Sequence, residues 1–563
     1  MPRRILHHSW TTRWLSLAIL ALLIGSAGQP AHAQIRIPDA ARLDSSAVRE
    51  ILANGEQLER QGRWGEALSF YEDAVRNHGE DQALKHKLDL ARLHYEVSRR
   101  YSDNSYVRSL TEMDRDQTLK LYDEVLRKIE ASYVDAPHWS VVCHQGLKQL
   151  DIALQEPQFL AKNTPHSKPG QIDAVRKLLA EHVDWQRVSS PYQAIEKANY
   201  AAELMQQNLG VTPTATILEF VCGAAGSLDP YTNFLTQDQL NEVYSQIEGN
   251  FVGLGVELKA DEGSLLIVHA IEGSPAAQAG ILDGDRILGV DGQMIDDQIT
   301  TEKAADMLKG VAGSHVKVKI VTGDQPPRNL IVRRDRVDVP SVNSIRIIDK
   351  DSGVGYLRIS SFQKGTAQSL NTAMWKLHRD GMRALVIDLR GNPGGLLTAA
   401  VDMADLFLET GTIVSTRGRS TQEDFDYTAH SPGTWRVPLV VLIDNDSASA
   451  SEIFAGAIHD HQRGTIVGQT SYGKGSVQGI FPLGTAGAGL RLTTAKFYSP
   501  SGQPISFRGV TPNVEVQLAA KPVGGEQPVA LSNDQDVTYE AGITAAKNLL
   551  GIRGISGRPS EQR

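Results

Sequence analysis

The sequence predicts a multidomain α/β protein: a helical N-terminal region, a smaller strand-rich unit, and a larger unit of alternating strands and helices. Three observations predict it. Apolar residues recur at helical spacing over 47–100, and mostly helical patterning continues over 112–247. From Gly249 the pattern changes to short strands punctuated by glycine. Beyond residue 336, two continuous apolar runs each end in a polar turn that leads into a helix, as expected of strands buried on both faces of a sheet. At 563 residues the chain can hold about three or four domains of ~150 residues. Its 41% hydrophobic and 22% charged residues suit a well-filled core, and a formal net charge of −9 gives no electrostatic basis for a nucleic-acid partner.

Residues 1–33 read as a signal peptide. Arg3, Arg4 and Arg13 form a positive n-region, Leu15 to Ile24 is an apolar stretch short for a membrane span, and Ala31-His32-Ala33 suits cleavage after Ala33. The remainder is then exported, to the periplasm or cell envelope; an uncleaved segment holding the protein at a membrane is the alternative. The two cysteines, Cys143 and Cys222, fall in apolar helical segments, so a disulfide and two buried thiols are both open. Neither has the neighbours of a zinc site.

Within 34–110, Ile51, Leu52, Leu58, Ala67, Leu68, Tyr71, Ala74 and Val75 lie at helix-like intervals. Gly55, Gly62, Ala67, Tyr71 and Ala74 resemble the spacing of one tetratricopeptide repeat. A single repeat cannot bury its own face by stacking, so a helical hairpin packed on its neighbour is the competing reading. Residues 111–247 continue the helical region and include the turn sequence Ser227-Leu228-Asp229-Pro230-Tyr231-Thr232.

Residues 248–335 order a glycine loop at Gly253-Leu254-Gly255-Val256, a strand at 265–270, a short helix with a glycine stop at 274–281, and a turn–strand–turn at 283–292. A helix near 300–309 and an alternating strand at 315–321 follow. This order resembles a PDZ domain. The backbone N–H groups of Gly253, Leu254, Gly255 and Val256 would hold a terminal carboxylate, and the adjoining strand would pair with the peptide.

Residues 336–517 contain the two strand–turn–helix units. Ala384–Leu389 leads through Arg390-Gly391-Asn392-Pro393-Gly394-Gly395 to a helix, and Val437–Asp444 leads through Ser447-Ala448-Ser449-Ala450-Ser451 to another. Residues 518–563 form a tail with room for one helix.

The serine-rich turn and the sequence Gly473-Lys474-Gly475 carry the chemistry. Serine needs a proton acceptor to become a nucleophile, and a desolvated lysine can be one. Ser447, Ser449 and Ser451 compete, each with helix capping as its commoner job. Ser449 sits at the bend, where its hydroxyl can project outward and the Ala450 N–H can face a developing oxyanion. For Lys474 to act near neutrality its pKa must fall from ~10.4 toward ~7–8, a desolvation cost of about 4 kcal/mol. If a strand begins at Lys474, then Lys474, Ser476 and Gln478 share a face, and Gln478 can orient the amine. The amides of Gly394 and Gly395 are candidates for a second oxyanion donor.

These stretches together resemble the C-terminal processing peptidases, or tail-specific proteases. The matching pieces are Ser227–Pro230, the PDZ-like unit, Asp388–Gly395, Ser447–Glu452, Tyr472–Gln478, Tyr498–Gly502 and Gly509–Pro512, within roughly 115–517. The resemblance implies a crotonase-like or ClpP-like α/β core, with Ser449 as nucleophile, Lys474 as general base and Gln478 as its orienting partner. It also implies oxyanion donors near Gly395 and Ala450, and a supporting acid at Glu452. Asp460 matches a position important in some members, with a structural helix-end role as the alternative. Substrates would be proteins taken by their C-terminal tails, an oligomer is compatible, and no metal, nucleotide or other cofactor is needed. Ser471 stands where threonine is usual and Tyr472 where phenylalanine is usual. Two other schemes fit the residues less well. His459 or His461 could serve as base, although ten residues of helix is about 15 Å. A non-catalytic PDZ and helical-repeat scaffold would bind peptide without turnover.

Overall fold

The structure, a computed structural model, describes residues 45–551 apart from 78–80, 262, 297–304, 306, 431–432 and 517–535. The signal segment, and most of the helix expected near 300–309, therefore lie outside the described residues.

The helical region opens with α1 (Ser45–Arg60), α2 (Trp64–Asn77) and α3 (Gln82–Ser102). These bury Ile51, Leu58, Ala67, Leu68, Tyr71, Ala74, Leu84 and Ala91 in a core of their own. Asp103 ends α3 and accepts the N–H groups of Ser105 and Tyr106, capping α4 (Asn104–Glu112). There follow α5 (Arg115–Ser132), α6 (Trp139–Ala153), α7 (Pro157–Asn163), α8 (Pro169–His182), α9 (Pro191–Leu209) and α10 (Pro213–Gly226). The central one is α10, buried at every residue from Thr214 to Ala225. Its Glu219 accepts from Arg100 Nη2 (2.8 Å), Tyr106 Oη (3.1 Å) and Tyr101 Oη (3.2 Å), tying the first helices to the rest. Cys143 on α6 and Cys222 on α10 are free, buried thiols, each pushed up to about 12 by burial.

After β1 (Asn233–Leu235) and α11 (Gln237–Glu248), β2 (Asn250–Gly253) enters the PDZ-like unit. Its sheet runs in the order β3 (Val256–Asp261), β4 (Ser264–Ala270), β5 (Arg286–Val290), β7 (His315–Val321), β8 (Arg328–Arg333), with β6 (Gln293–Met294) on β5. The short helix α12 (Pro275–Gln278) stops at Gly280, in the left-handed region. Returning to the larger unit, β9 (Asp335–Asp338) pairs antiparallel with β2, so one two-stranded ribbon carries both chain passages.

The larger unit holds a six-stranded sheet in the order β10 (Val342–Asp349), β11 (Val354–Ile359), β12 (Ala384–Asp388), β15 (Leu439–Ile443), β16 (Thr465–Gly468), β19 (Val514–Glu515). From β11 to β19 it is parallel, and β10 is antiparallel. Alternate strand residues face two layers. Leu385, Ile387, Leu439, Val441 and Ile443 pack on α13 (Thr366–Arg379), α14 (Leu397–Asp405) and α15 (Ala450–Asp460). Val354, Tyr356, Val386, Val440, Leu442 and Val467 face the opposite layer, where α16 (Val537–Leu549) lies. The helix in the C-terminal tail is thus part of this unit. A second sheet has the order β1, β18 (Gly489–Tyr498), β13 (Thr412–Gly418), β14 (Phe425–Thr428), with β17 (Ser476–Pro482) also on β18. Leu490 and Leu492 of β18 reach into the helical core, joining the two regions.

Candidate active site

Two adjacent parallel strands end side by side and deliver two turns to one place. At the end of β12, Asp388 is buried and holds Arg390 through Nε (2.9 Å) and Nη2 (2.6 Å), and accepts from Tyr356 Oη (2.8 Å). At the end of β15, Asp444 accepts the Gly391 N–H at 2.9 Å. Asn392 then locks the turns together. Its side chain donates to Ile359 O (2.8 Å) and accepts from Gly394 N (2.8 Å), while its carbonyl accepts from Ala448 N (3.0 Å) and Ser451 Oγ (2.9 Å).

Those bonds separate the three serines. Ser447 Oγ donates to Leu389 O (2.9 Å) and accepts from Asp444 N (3.0 Å), and Ser451 Oγ is held by Asn392. Ser449 Oγ makes no capping bond: the Glu452 N–H goes to the Ser449 carbonyl at 2.9 Å. Ser449 is 8% exposed and adopts φ 55°, ψ −112°, a region a non-glycine residue occupies at a cost of order 1–3 kcal/mol. Its hydroxyl lines a narrow cleft with Gly395, Leu397, Ile453, Val477 and Phe497.

The glycine pair is a steric requirement. A Cβ on Gly394 would sit 2.6 Å from Ala448 O, and one on Gly395 (φ 150°) would sit 2.0 Å from Phe362 O. The neighbouring bonds run from Phe362 N to Gly394 O (2.8 Å) and from Leu396 N to Phe362 O (2.7 Å). Among the described residues, neither the Gly395 nor the Ala450 N–H donates to the protein, so both remain available to a ligand.

Glu452, fully buried, joins the two halves of the site. Its Oε1 accepts from Ser471 Oγ and Gly473 N (2.6 Å each), and its Oε2 accepts from Ser449 N (2.8 Å) and Lys474 N (2.9 Å). Burial pushes its carboxyl above the usual range, against the pull of those four donors. Ser471 Oγ also accepts from Val510 N at 2.7 Å, so a hydroxyl is what that position uses. The glycines flanking Lys474 admit close backbone packing: a Cβ on Gly475 would lie 2.3 Å from Ser506 N, and Gly473 has φ 89°.

Lys474 is 3% exposed, and its Nζ has no hydrogen-bond partner. Burial first, and the Arg491 charge second, bring its pKa down to about 7; the Glu452 and Asp229 carboxylates pull the other way. The amine lies 4.7 Å from the centroid of the Tyr231 ring. No hydrogen bond joins it to Ser449 Oγ.

Two expectations need correction. The strand begins at Ser476, not Lys474, and its register on β18 shifts between Val477 and Gln478, so the two-residue period does not carry Lys474 and Gln478 onto one face. Accordingly Gln478 Nε2 donates to Ser476 Oγ (2.9 Å) and Thr493 Oγ1 (3.4 Å), and it does not contact the lysine amine. Asp460 lies at the far end of α15, accepting from Ser501 N (3.0 Å) and bonding His459 Nδ1 (3.0 Å). These contacts suit the helix-end role of the two. His461 Nε2 bonds Thr412 O (2.7 Å) and His459 Nδ1 bonds Asp460, so among the described bonds neither histidine pairs with Ser449.

Sequence reasoning missed Asn392, Tyr231 and the role of Asp229. Asp229 accepts from Tyr231 N (2.8 Å), Thr232 Oγ1 (2.7 Å) and Thr493 Oγ1 (3.1 Å). Asn392 had a signal, an amide side chain ahead of a Pro-Gly-Gly turn. Tyr231 had none, because the chain brings it to Lys474 only through tertiary packing.

In the PDZ-like unit, β3 pairs with β4 alone, leaving its other edge open among the described residues. Ahead of it, Leu254 is buried in the unit's core, and the carbonyls of Leu254 and Gly255 accept from Ala276 N (2.8 Å) and Ile271 N (2.9 Å). Gly253 and Val256 bracket that loop, at the ends of β2 and β3. No cluster of His, Cys, Asp and Glu suited to a metal occurs among the described residues, and no described helix is long and apolar enough to cross a membrane.

Comparison with known proteins fits this geometry. The model of peptidase family S41 matches residues 353–516, and a PDZ domain model matches 266–322. A carboxy-terminal-processing protease of Bartonella bacilliformis is 41% identical over 297 residues, which is 52% of this chain and 67% of that protein. A carboxyl-terminal-processing protease of Synechocystis sp. is 34% identical over 326 residues, or 56% of this chain and 73% of that protein. Among solved structures, the photosystem II D1 C-terminal processing protease aligns over 72% of this chain and 94% of its own at 25% identity and TM-score 0.38. The chain belongs to the carboxy-terminal processing serine proteases of peptidase family S41 and carries a PDZ domain.

Proposed function

We propose that the protein is an exported endopeptidase that takes protein substrates by their C-terminal tails and cleaves them through an acyl-enzyme on Ser449, with Lys474 as general base. One observation carries this: the N–H groups of Ser449 and Lys474 converge on the same Glu452 oxygen. That carboxylate brings a hydroxyl free of capping duty and a buried amine without a partner into one region.

Chemically, the neutral Lys474 amine takes the Ser449 Oγ proton as Oγ attacks the scissile carbonyl carbon. The free N–H groups of Gly395 and Ala450 receive the oxyanion. The ammonium then gives its proton to the departing peptide amine, and water, activated by the same lysine, hydrolyses the ester. In the described conformation the amine lies over the Tyr231 ring with no hydrogen bond to Oγ, so the productive state needs Nζ to turn toward Oγ while it stays within reach of the ring. Gln478 acts on the wall of the cleft, through Ser476 and Thr493. The open edge of β3 and the loop at Gly253–Val256 suit capture of an extended terminus by strand addition. Export is read from residues 1–33.

The test incubates the purified protein, its Ser449→Ala variant and its Lys474→Ala variant with a disordered peptide carrying a free or an amidated C-terminus. Cleavage by the parent alone, faster with the free terminus, is the expected result. Equal cleavage of both peptides removes tail recognition. Turnover by either variant removes the Ser–Lys scheme.

A further inference from the structure

We propose that Tyr231 is a positioning residue for Lys474, its ring face holding the amine and stabilising the ammonium that forms when the Ser449 proton is transferred, an inference that rests on the Ser449–Lys474 reading above. The Nζ–centroid distance of 4.7 Å is inside the ~6 Å range of cation–π attraction. The amine is buried without a hydrogen bond, and Gln478 is committed elsewhere. The ring is the contact the fold provides.

The ring is itself fixed. Asp229 Oδ1 accepts the Tyr231 N–H at 2.8 Å, and the Tyr231 hydroxyl sits beside Tyr472, two residues before the lysine; burial first, and the Tyr472 side chain second, push the Tyr231 pKa up. Asp229 also accepts from Thr493, which receives Gln478, so platform and glutamine belong to one network. Arg491, whose charge opposes a second cation nearby, makes the need for compensation sharper.

The contact is matched to the reaction. A ring quadrupole attracts a cation far more than a neutral amine, so it strengthens as Nζ takes the proton and relaxes when that proton passes to the leaving amine. Nothing else need be consumed: the proton leaves Oγ, resides on Nζ, and departs with the product.

The test compares parent, Tyr231→Leu, Tyr231→Phe, Lys474→Ala and Ser449→Ala on a fluorogenic peptide from pH 5.5 to 9.5, with thermal melts alongside. Tyr231→Leu is expected to lower kcat by roughly ten-fold with little change in KM. Loss of the cation's partner moves the acid limb of kcat/KM about half to one unit lower in pH. Tyr231→Phe keeps the ring face, recovers most of the rate and keeps the limb near the parent's position. Should Tyr231→Leu melt early, a series of progressively fluorinated phenylalanines at 231 replaces it, and the limb is expected to fall stepwise. An unmoved or upward-shifted limb overturns the proposal, as does equal impairment of the Phe and Leu variants. If Lys474→Ala turns over, the Ser–Lys reading has failed. If both dyad variants are inactive while Tyr231→Leu matches the parent, the Tyr231 role alone has failed.

Discussion

Replacing Lys474 by methionine is expected to make the protein more stable while abolishing turnover. A buried amine near pKa 7 in the folded chain titrates near its ordinary 10.5 when unfolded. Between those values the unfolded chain binds more protons, so parental stability rises with pH over about 7 to 10.5. At pH 7 the difference corresponds to about 4 kcal/mol, and roughly 2–4 kcal/mol is expected once the lost Tyr231 contact is deducted. For a unit of this size each kcal/mol shifts the midpoint by about 2–4 °C, giving an upward shift of roughly 5–15 °C at pH 7. Calorimetry of Ser449→Ala and Ser449→Ala/Lys474→Met, both free of self-digestion, measures it. The two curves should converge as pH approaches 10. No gain at pH 7, or a gain that stays constant to pH 10, refutes the idea of a strongly desolvated amine.

Gly395→Ala places a Cβ 2.0 Å from Phe362 O and displaces one oxyanion donor; steady-state kinetics should show kcat down about 10²–10³. Asn392→Ala strands the buried Gly394 N–H and Ile359 O, costing about 2–4 kcal/mol in thermal melts and lowering turnover with it. Ser451→Ala loses one bond to Asn392 O, about 1 kcal/mol, yet should still be labelled by a fluorophosphonate, whereas Ser449→Ala should not. In the parent, turnover should rise with pH through about 7 as Lys474 loses its proton, visible in a kcat/KM profile.

The α/β unit was legible because its strands are long apolar runs: Ala384–Asp388 and Leu439–Ile443 are buried at every position, and each leads directly into its functional turn. The choice among three serines was legible only as a preference, since it depends on which hydroxyls Asn392 and Leu389 occupy. The lysine's surroundings were not legible. Extrapolating a strand back to residue 474 ignored two glycines and a register shift, and so assigned Gln478 a contact it does not make. Tyr231 reaches the amine through the packing of α10 on β1 and the pairing of β1 with β18, a long-range relation that no local pattern encodes.

The final helix has a practical meaning for anyone cutting this chain. Arg390, at the first functional turn, pairs with Asp536 at 2.7 Å; Gly542 fits against Leu442, and Tyr539 meets Tyr356 edge-on at 5.2 Å. A recombinant fragment trimmed at residue 516, where the family match stops, would strip one side of the central sheet and wet the side chains packed there, Val354, Tyr356, Val386, Val440, Leu442 and Val467 among them. Such a fragment should self-associate, and keeping residues through 551 is the remedy.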